Sequence, residues 1–441
     1  MTIYFISVLL CLVNSLRYSS ELESFNMWTQ GTVRVYREFK PFLVICKLFG
    51  LAPYKIKLDI GDGTLDMRVK ENLGGFFCTI LVTCAMTLGL SDMVSHVGTE
   101  NKSSVSDILT TKFSMPMFFA VTLTALLMNS TIIKFKMSQL FDLFSNIDKQ
   151  LYRLKKVPDE ESSFSKKILS NVDIFLLLFV FSPYLLYDAL IWGIGLFHIN
   201  SYLLRFSEFI NIIIVMMYCR WVIYVWKILV EMCEMLPLYI KIDPEDVVNE
   251  NDRIPDISEV QLYRNPKQKY PLNLTEFVIS LRRLYCQVCS IVHLINVMYG
   301  FIILLEIIVN FTVIITNVSV FMSLITEKEE IIPIHLSNRK PVLFSNSCFL
   351  VISVCLLVIM TLICHVATSK SQDLALIIGR FSLEYPLHPD ALQQLKLFSY
   401  QLRYDSFHFS AFWLFRLDFN LLCTILASAV TYTTVLAQFN T

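Results

Sequence analysis

The amino-acid sequence predicts an all-α membrane protein with seven transmembrane helices, its N-terminus inside the cell and its C-terminus outside. Three observations lead to this fold class. Of the 441 residues, 55% are hydrophobic and only 17% are charged, and the mean hydropathy is +0.57, which is too apolar for a soluble globular protein. Seven apolar stretches are long enough to cross a bilayer. Lysine and arginine concentrate in the connections on one side of these stretches, the side expected to face the cytosol.

The seven predicted spans are separated by polar connections. They cover residues 73–94, 113–133, 171–196, 206–236, 290–325, 343–366 and 414–439. Basic residues are frequent before the first span and after the second, fourth and sixth, and they are sparse in the other connections. Because basic connections stay in the cytosol, the predicted orientation is the reverse of that of a G-protein-coupled receptor.

The residues before the first span, 1–72, are predicted to be a cytoplasmic segment with an amphipathic helix. Residues 1–16 are apolar, but they lack a positively charged start and a clear cleavage site. A signal peptide, a short anchor and an unused start upstream of Met27 therefore all stay open. Residues 34–70 combine basic and aromatic residues, a composition that favours a helix at the inner membrane surface.

Several helices are expected to continue beyond the membrane. A helix over residues 290–325 would be about 54 Å long, against a hydrocarbon core of roughly 30 Å. Leu392, Leu395, Phe398 and Leu402 fall on one stripe of a predicted helix over residues 390–409. The chain is thus divided into transmembrane segments 73–236, 290–366 and 414–441, with a cytoplasmic loop and helix over 237–289 and cytoplasmic helices over 367–413. The two cytoplasmic segments are expected to form an anchor bundle that holds subunits together.

The last apolar helix, predicted over residues 415–439, carries polar residues on one face. These recur at steps of four, three, three and four residues, at Thr424, Ser428, Thr431, Thr434 and Gln438. In one interpretation, the hydroxyls bond back to their own helix and allow close helix packing. In the other, several copies of the face surround a common axis and line a water-filled path. Periodicity alone favours the first interpretation.

No pattern of residues indicates catalysis, so the chain is not expected to be an enzyme. HExxH, GxSxG and P-loop motifs are all missing from the sequence. The balanced charge argues against a nucleic-acid partner. Cys286, Cys289 and His293 share one helical face, but no fourth ligand is evident, so reduced thiols in a packed helix are favoured over a metal site. Neither a cofactor nor a resident metal is expected.

Polar residues inside the predicted spans are candidates for ligand binding, because such residues are costly in lipid. In the third span Asp188 lies among Tyr184, Tyr187 and Trp192, which suits a ligand with a cationic or hydroxyl-bearing group. Equally, Asp188 could pair with a neighbouring helix while the aromatic residues form an interfacial belt. Other spans contribute further candidates for the same pocket: Phe118, Phe119, Asn211, Glu306 and Asn310. Asn101 lies in an outer connection and is a candidate glycosylation site.

The end of the chain, TYTTVLAQF, resembles the C-terminal signature of the insect gustatory receptors. That signature is TY, five mostly hydrophobic residues and QF, which match Thr431, Tyr432, Gln438 and Phe439. KLFGLAP, before the first span, also resembles this family. The resemblance implies a ligand-gated non-selective cation channel in a sensory neuron's plasma membrane, a homotetramer or a heteromer with related receptors. The last helices would line its pore, with Gln438 and Phe439 near the outer constriction. With this resemblance, the pore interpretation of the polar face becomes the favoured one.

Four observations bear on the ligand, on the connection into the last helix and on competing classes of protein. Receptors for sweet sugars commonly carry Glu after the TY pair, where this chain has Thr433, so a bitter or plant-derived tastant is favoured and a fructose-type receptor is the alternative. Trp413 stands where many family members have Gly. A G-protein-coupled receptor would be expected to show a DRY-like triplet or an NPxxY motif, and a transporter would show paired broken helices; neither pattern is found.

Overall fold

The computed structural model describes residues 30–61, 64–97, 115–155, 199–242, 274–325, 339–384 and 388–439. These residues form mainly helices, together with two small antiparallel sheets. The helices are α1 (Gln30–Leu48), α2 (Leu73–Val97), α3 (Met115–Met128), α4 (Lys134–Lys155), α5 (Ile199–Ile242), α6 (Leu274–Ile325), α7 (Arg339–Glu384), α8 (Pro389–Tyr404) and α9 (Phe419–Phe439). A π-helical turn, Asn129–Ile133, joins α3 and α4 into one continuous helix. The strands are β1 (Tyr54–Gly61), β2 (Thr64–Glu71), β3 (Ser410–Ala411) and β4 (Phe415–Arg416).

Five helices among the described residues are long and apolar enough to cross a membrane. Their apolar parts are Leu73–Ser91, Pro116–Leu154, Leu203–Pro237, Leu274–Ser319 and Ser347–Leu383. Each overlaps one predicted span, and the shorter apolar helix Phe419–Val435 overlaps the last one. The predicted third span, residues 171–196, lies outside the described residues. The five apolar helices confirm a nearly all-helical membrane fold.

Three helices extend well beyond one bilayer thickness, as expected. Helices α5, α6 and α7 have 44, 52 and 46 residues, and α6 alone is about 78 Å long at 1.5 Å per residue. Near one end of the bundle, α8 packs against α6 and α7. Of the predicted stripe of α8, Leu395, Phe398 and Leu402 are buried and Leu392 is half-buried. This end of the molecule is called the α8 end below.

The first helix is held by aromatic packing and by charge. The ring of Phe39 stacks on that of Trp221 of α5 at 3.9 Å between centroids, and Lys227 Nζ lies 2.8 Å from Glu38 Oε2. Stacked aromatic rings and a partly buried ion pair both stabilise this contact. Helix α1, which also contacts α4, is therefore built into the bundle.

The predicted helix over residues 34–70 is wrong beyond Leu48. After α1 the chain turns at Gly50, whose φ of 74° lies in the left-handed region that favours glycine. A Cβ there would lie 2.9 Å from the Cα of Thr79, so glycine also permits close approach to α2. Strands β1 and β2 then form an antiparallel hairpin that pairs Tyr54 with Glu71 and Gly61 with Thr64.

The helix predicted from residue 415 begins later, at Phe419. Phe415 and Arg416 form β4 and pair with Ala411 and Ser410 of β3. Helix α9 then starts with a side-chain cap, because the backbone N–H of Leu421 donates to Asp418 Oδ1 at 3.0 Å.

Candidate ligand site and the polar face of α9

A buried polar cluster joins α3 to α5. Thr122 Oγ1 lies 2.6 Å from Ser207 Oγ and 2.8 Å from Asn211 Oδ1. The backbone oxygen of Phe118 accepts from Ser207 Oγ at 3.0 Å and from Asn211 Nδ2 at 3.5 Å. All these side chains are buried. Of the predicted ligand residues, Phe118 and Asn211 are therefore brought together, and the amide of Asn211 is used between helices.

Thr122 and Ser207 are the members of this cluster that sequence reasoning missed. Ser207 and Asn211 are four residues apart and so lie on one face of α5. That spacing inside an apolar helix was the available signal. The partner on α3 depends on how the two helices pack, which the sequence does not show.

The two phenylalanines of α3 take part in helix packing. Phe119 is 0% exposed, and its ring lies over Gly89 of α2, where a Cβ would come within 2.9 Å of it. The ring of Phe118 lies 6.1 Å from that of Phe349 on α7. The two side chains thus connect α3 to two different neighbours, α2 and α7.

Glu306 is the predicted ligand residue whose environment is the most unusual. Its side chain on α6 is 3% exposed, and among the described residues Oε1 has no hydrogen-bond partner. Asn310 donates to the backbone oxygen of Glu306 at 2.8 Å, not to the carboxyl group. A buried carboxyl group without a partner is costly, so Glu306 is the strongest candidate here for a functional group.

A small cavity lies on the same side of α6, closer to the α8 end. Tyr299, one of its lining residues, is seven residues before Glu306, which places the two on one helical face about 10.5 Å apart along the axis. The cavity volume is about 10 Å³, enough for roughly one water molecule. Its lining residues are Cys46, Leu51, Tyr54, Asn129, Ile214, Met217 and Tyr299. The cavity is far smaller than sites for drug-sized ligands, which occupy hundreds of Å³.

Part of the predicted site lies outside the described residues. The residues concerned are Asp188 with its neighbouring aromatic residues Tyr184, Tyr187 and Trp192, and the candidate glycosylation site Asn101.

Among the described residues, one side of helix α9 packs on α6 and α7. Leu422, Ile425 and Ala429 are buried on that side. The predicted polar face is on the other side, because at 100° per residue its mean direction lies about 150° from that of the buried residues. Thr424, Thr431, Thr434 and Gln438 are exposed, and Ser428 is half-buried. The polar face thus points away from the other residues that the structure describes.

The threonines of this face satisfy their hydroxyl groups within the helix. Thr424, Thr431 and Thr434 each donate to the backbone oxygen four residues earlier, at 2.8, 2.9 and 2.8 Å. Such bonds cost the helix little and leave the hydroxyl oxygen free to accept from water or hydrate an ion. Back-bonding and exposure therefore occur together on this face.

Two residues of the C-terminal motif, Tyr432 and Thr433, lie outside the polar face of α9. The ring of Tyr432 lies 6.0 Å from that of Phe311 on α6, which fixes α9 laterally. Thr433 is half-buried and donates to Ala429 O at 2.7 Å. The side chain of Phe439 lies outside the described part of the structure.

The three residues considered for a metal site have separate partners. Cys286 Sγ accepts from Gln401 Nε2 at 2.8 Å, and Cys289 Sγ donates to Asp405 O at 3.5 Å. The ring of His293 lies 5.3 Å from that of Trp413. In the part of the chain that the structure describes, no group of three potential metal ligands comes together.

Comparison with solved structures shows where this fold occurs. The structure of the insect olfactory receptor OR5 from Machilis hrabei matches with a TM-score of 0.63 and 9% sequence identity, covering 93% of this chain and 100% of that one. The structure of the same receptor in complex with eugenol matches with a TM-score of 0.59 and 10% identity, with the same coverage. At such low identity these matches establish the fold alone.

Comparison of sequences establishes the family. No curated protein matches the chain. The family model described as 7tm chemosensory receptor matches residues 39–441, nearly the whole chain. With its bundle of long apolar helices and its agreement in fold with an insect olfactory receptor, this protein belongs to the 7tm chemosensory receptor family.

Proposed function

We propose that this chemosensory receptor is a ligand-gated non-selective cation channel of the gustatory type, in which four copies place their α9 helices around a common axis. The observation that carries the proposal is the exposed polar face of α9, opposite the side that packs on α6 and α7. A row of hydroxyl groups ending in the Gln438 amide gains little from lipid, whereas it suits a water-filled path for cations.

In the proposed orientation the α8 end lies in the cytosol of a sensory neuron, and α9 runs outward through the plasma membrane. Gln438 and Phe439 then lie at the outer end of the path, and Thr431 lies about 10 Å deeper. Thr424, Ser428 and Thr434 complete its lining. The basic connections of the sequence support this orientation.

The proposed ligand is a small tastant, bitter or plant-derived, with a fructose-type sugar as the alternative. It would bind in the half of the bundle away from the α8 end. Because Asn211 is engaged by α3, Glu306 is the residue best suited to meet a polar group of the ligand, and Asp188 would approach from span three. A structure of similar fold was determined with eugenol, which supports a small organic ligand.

Whole-cell current from cells that express this chain alone tests the proposal, with a panel of sugars and bitter compounds as probes. Gln438→Ala is expected to change the conductance or the cation selectivity of the ligand-evoked current, because it removes an amide from the polar face. Val430→Ala is the matched control: it alters an exposed residue of α9, 68% exposed, outside the polar face, and should leave both properties unchanged.

The outcomes separate the candidate functions. Ligand-evoked cation current without an added G-protein, altered by Gln438→Ala only, supports the channel and its α9 lining. Equal effects of both variants would contradict the assignment of the pore to the polar face. A response that requires a G-protein, together with a cytosolic C-terminus, would refute the channel.

A further inference from the structure

The linker between α8 and α9, residues 405–418, contains a strained turn. Strands β3 and β4 pair across it, Ser410 with Arg416 and Ala411 with Phe415. At its tip Phe412 and Trp413 have φ values of 50° and 62°. Residues other than glycine rarely adopt this left-handed backbone conformation. Two such residues in succession persist only where surrounding contacts hold them.

One buried side chain of α6 holds the strand that leads to the turn. Asn296 is 4% exposed. Its Nδ2 donates to the backbone oxygen of His408 at 3.0 Å, and its Oδ1 accepts from the backbone N–H of Ser410 at 3.2 Å. Both ends of a single amide thus bind the linker backbone directly before the strained residues.

One helical turn further along α6, a glycine admits the tip of the turn. A Cβ at Gly300 would lie 3.0 Å from the backbone nitrogen of Phe412 and 3.3 Å from its Cα. Since these are backbone atoms, no side-chain rotation could relieve the contact. Gly379 of α7 offers a contrast, because a Cβ there would meet nothing within 4 Å.

The turn determines where α9 begins. Helix α9 starts at Phe419, three residues after β4 ends, and the backbone N–H of Leu417 donates to Phe409 O at 3.0 Å across the linker. Few bonds can rotate between the turn and the first residue of α9. A change in the turn would therefore be transmitted to the position of α9.

We propose that Asn296 and Gly300 form a latch that holds the linker in its strained turn, and that release of this latch lets α9 move away from α6. The strain of the two left-handed residues favours release, and the two amide bonds and the close packing at Gly300 oppose it. These opposing contributions are similar in size, so the linker has two accessible arrangements, the condition for a conformational switch. The latch would act on the position of α9 even if the polar face did not line a channel.

The test measures how often α9 leaves α6. Ala429 is 4% exposed on the buried side of α9, so in full-length protein carrying Ala429→Cys that thiol reacts with N-ethylmaleimide only when α9 moves. Asn296→Leu and Gly300→Ala are added to this background, with Gly379→Ala as the matched control, and the alkylation rate at each cysteine is followed by mass spectrometry. Asn296→Leu and Gly300→Ala should raise the rate at position 429 about fivefold or more, and Gly379→Ala should change it less than twofold.

The native cysteines report on any general loss of structure. Cys423 is already exposed on α9, whereas Cys46 and Cys364 are buried. The proposal requires an increase confined to position 429. If position 429 reacts no faster in the latch variants than in the Gly379→Ala control, or if Cys46 and Cys364 become reactive in parallel, the latch is refuted.

Discussion

The left-handed conformation of Trp413 predicts an unusual order of stability between two variants. Replacement by Ala or by Gly removes the same indole ring, so the difference between the two variants depends on the backbone alone. At a φ of 62° alanine keeps a strain of about 1–2 kcal/mol that glycine does not have. Glycine loses about 0.5–1 kcal/mol through its larger freedom in the unfolded chain. Trp413→Gly is therefore expected to be more stable than Trp413→Ala by about 0.5–1 kcal/mol.

A control position with ordinary helical geometry should show the opposite order. Tyr400 lies inside α8 and is 61% exposed, so Tyr400→Gly should be less stable than Tyr400→Ala by about 1 kcal/mol. Thermal unfolding of the four variants in detergent, followed by size-exclusion fluorescence, measures both differences. Each should shift the midpoint by about 1–2 °C, given that the shift per kcal/mol falls as chains lengthen. If glycine is less stable than alanine at position 413 by the margin found at position 400, the argument from strain is wrong.

Two further predictions concern titratable groups. Glu306→Leu should raise the thermal stability, because the variant no longer buries a carboxyl group whose Oε1 has no partner among the described residues. The same change should weaken the ligand-evoked current. Lowered stability would show that the carboxyl group is held by a structural partner. Burial, followed by the charge of Arg416, lowers the pKa of His408. The unfolded chain therefore binds a proton there before the folded chain does, and stability should fall as the pH drops through the ordinary histidine pKa of about 6.5 toward the lowered value. His408→Gln should remove this part of the difference in unfolding midpoint between pH 7.5 and pH 5.5, and an unchanged pH dependence would contradict the assignment.

The hairpin of β1 and β2 shows a signal that was present in the sequence and was misinterpreted. Residues 54–71 alternate between polar and apolar side chains around Asp62-Gly63, the period of a strand and a common hairpin turn. The basic and aromatic composition of the same residues favours an amphipathic helix, which is the interpretation that the structure contradicts. Composition indicates a surface location, and the period of the pattern decides the secondary structure.

The candidate ligand residues show where sequence reasoning ends. Asn211 and Glu306 are both polar residues inside apolar helices, so the sequence predicts the same role for each. The structure separates them, because Thr122 and Ser207 engage the amide of Asn211 whereas Oε1 of Glu306 has no partner among the described residues. Such partners come from helices distant in the chain, and no local pattern reveals them.

The sequence by itself determined the membrane class, the long helices, the buried stripe of α8 and the polar face of α9. Each of these follows from hydrophobicity and from the 3.6-residue period, which are properties of local segments. The strained turn at Phe412 and Trp413 was decided only by the tertiary structure. Its backbone conformation is unfavourable for those two residues on their own. It forms because Asn296 binds the backbone that leads to the turn and Gly300 leaves room for the backbone of Phe412. Both residues lie more than a hundred positions earlier in the chain. The start of α9 at Phe419 follows from that contact.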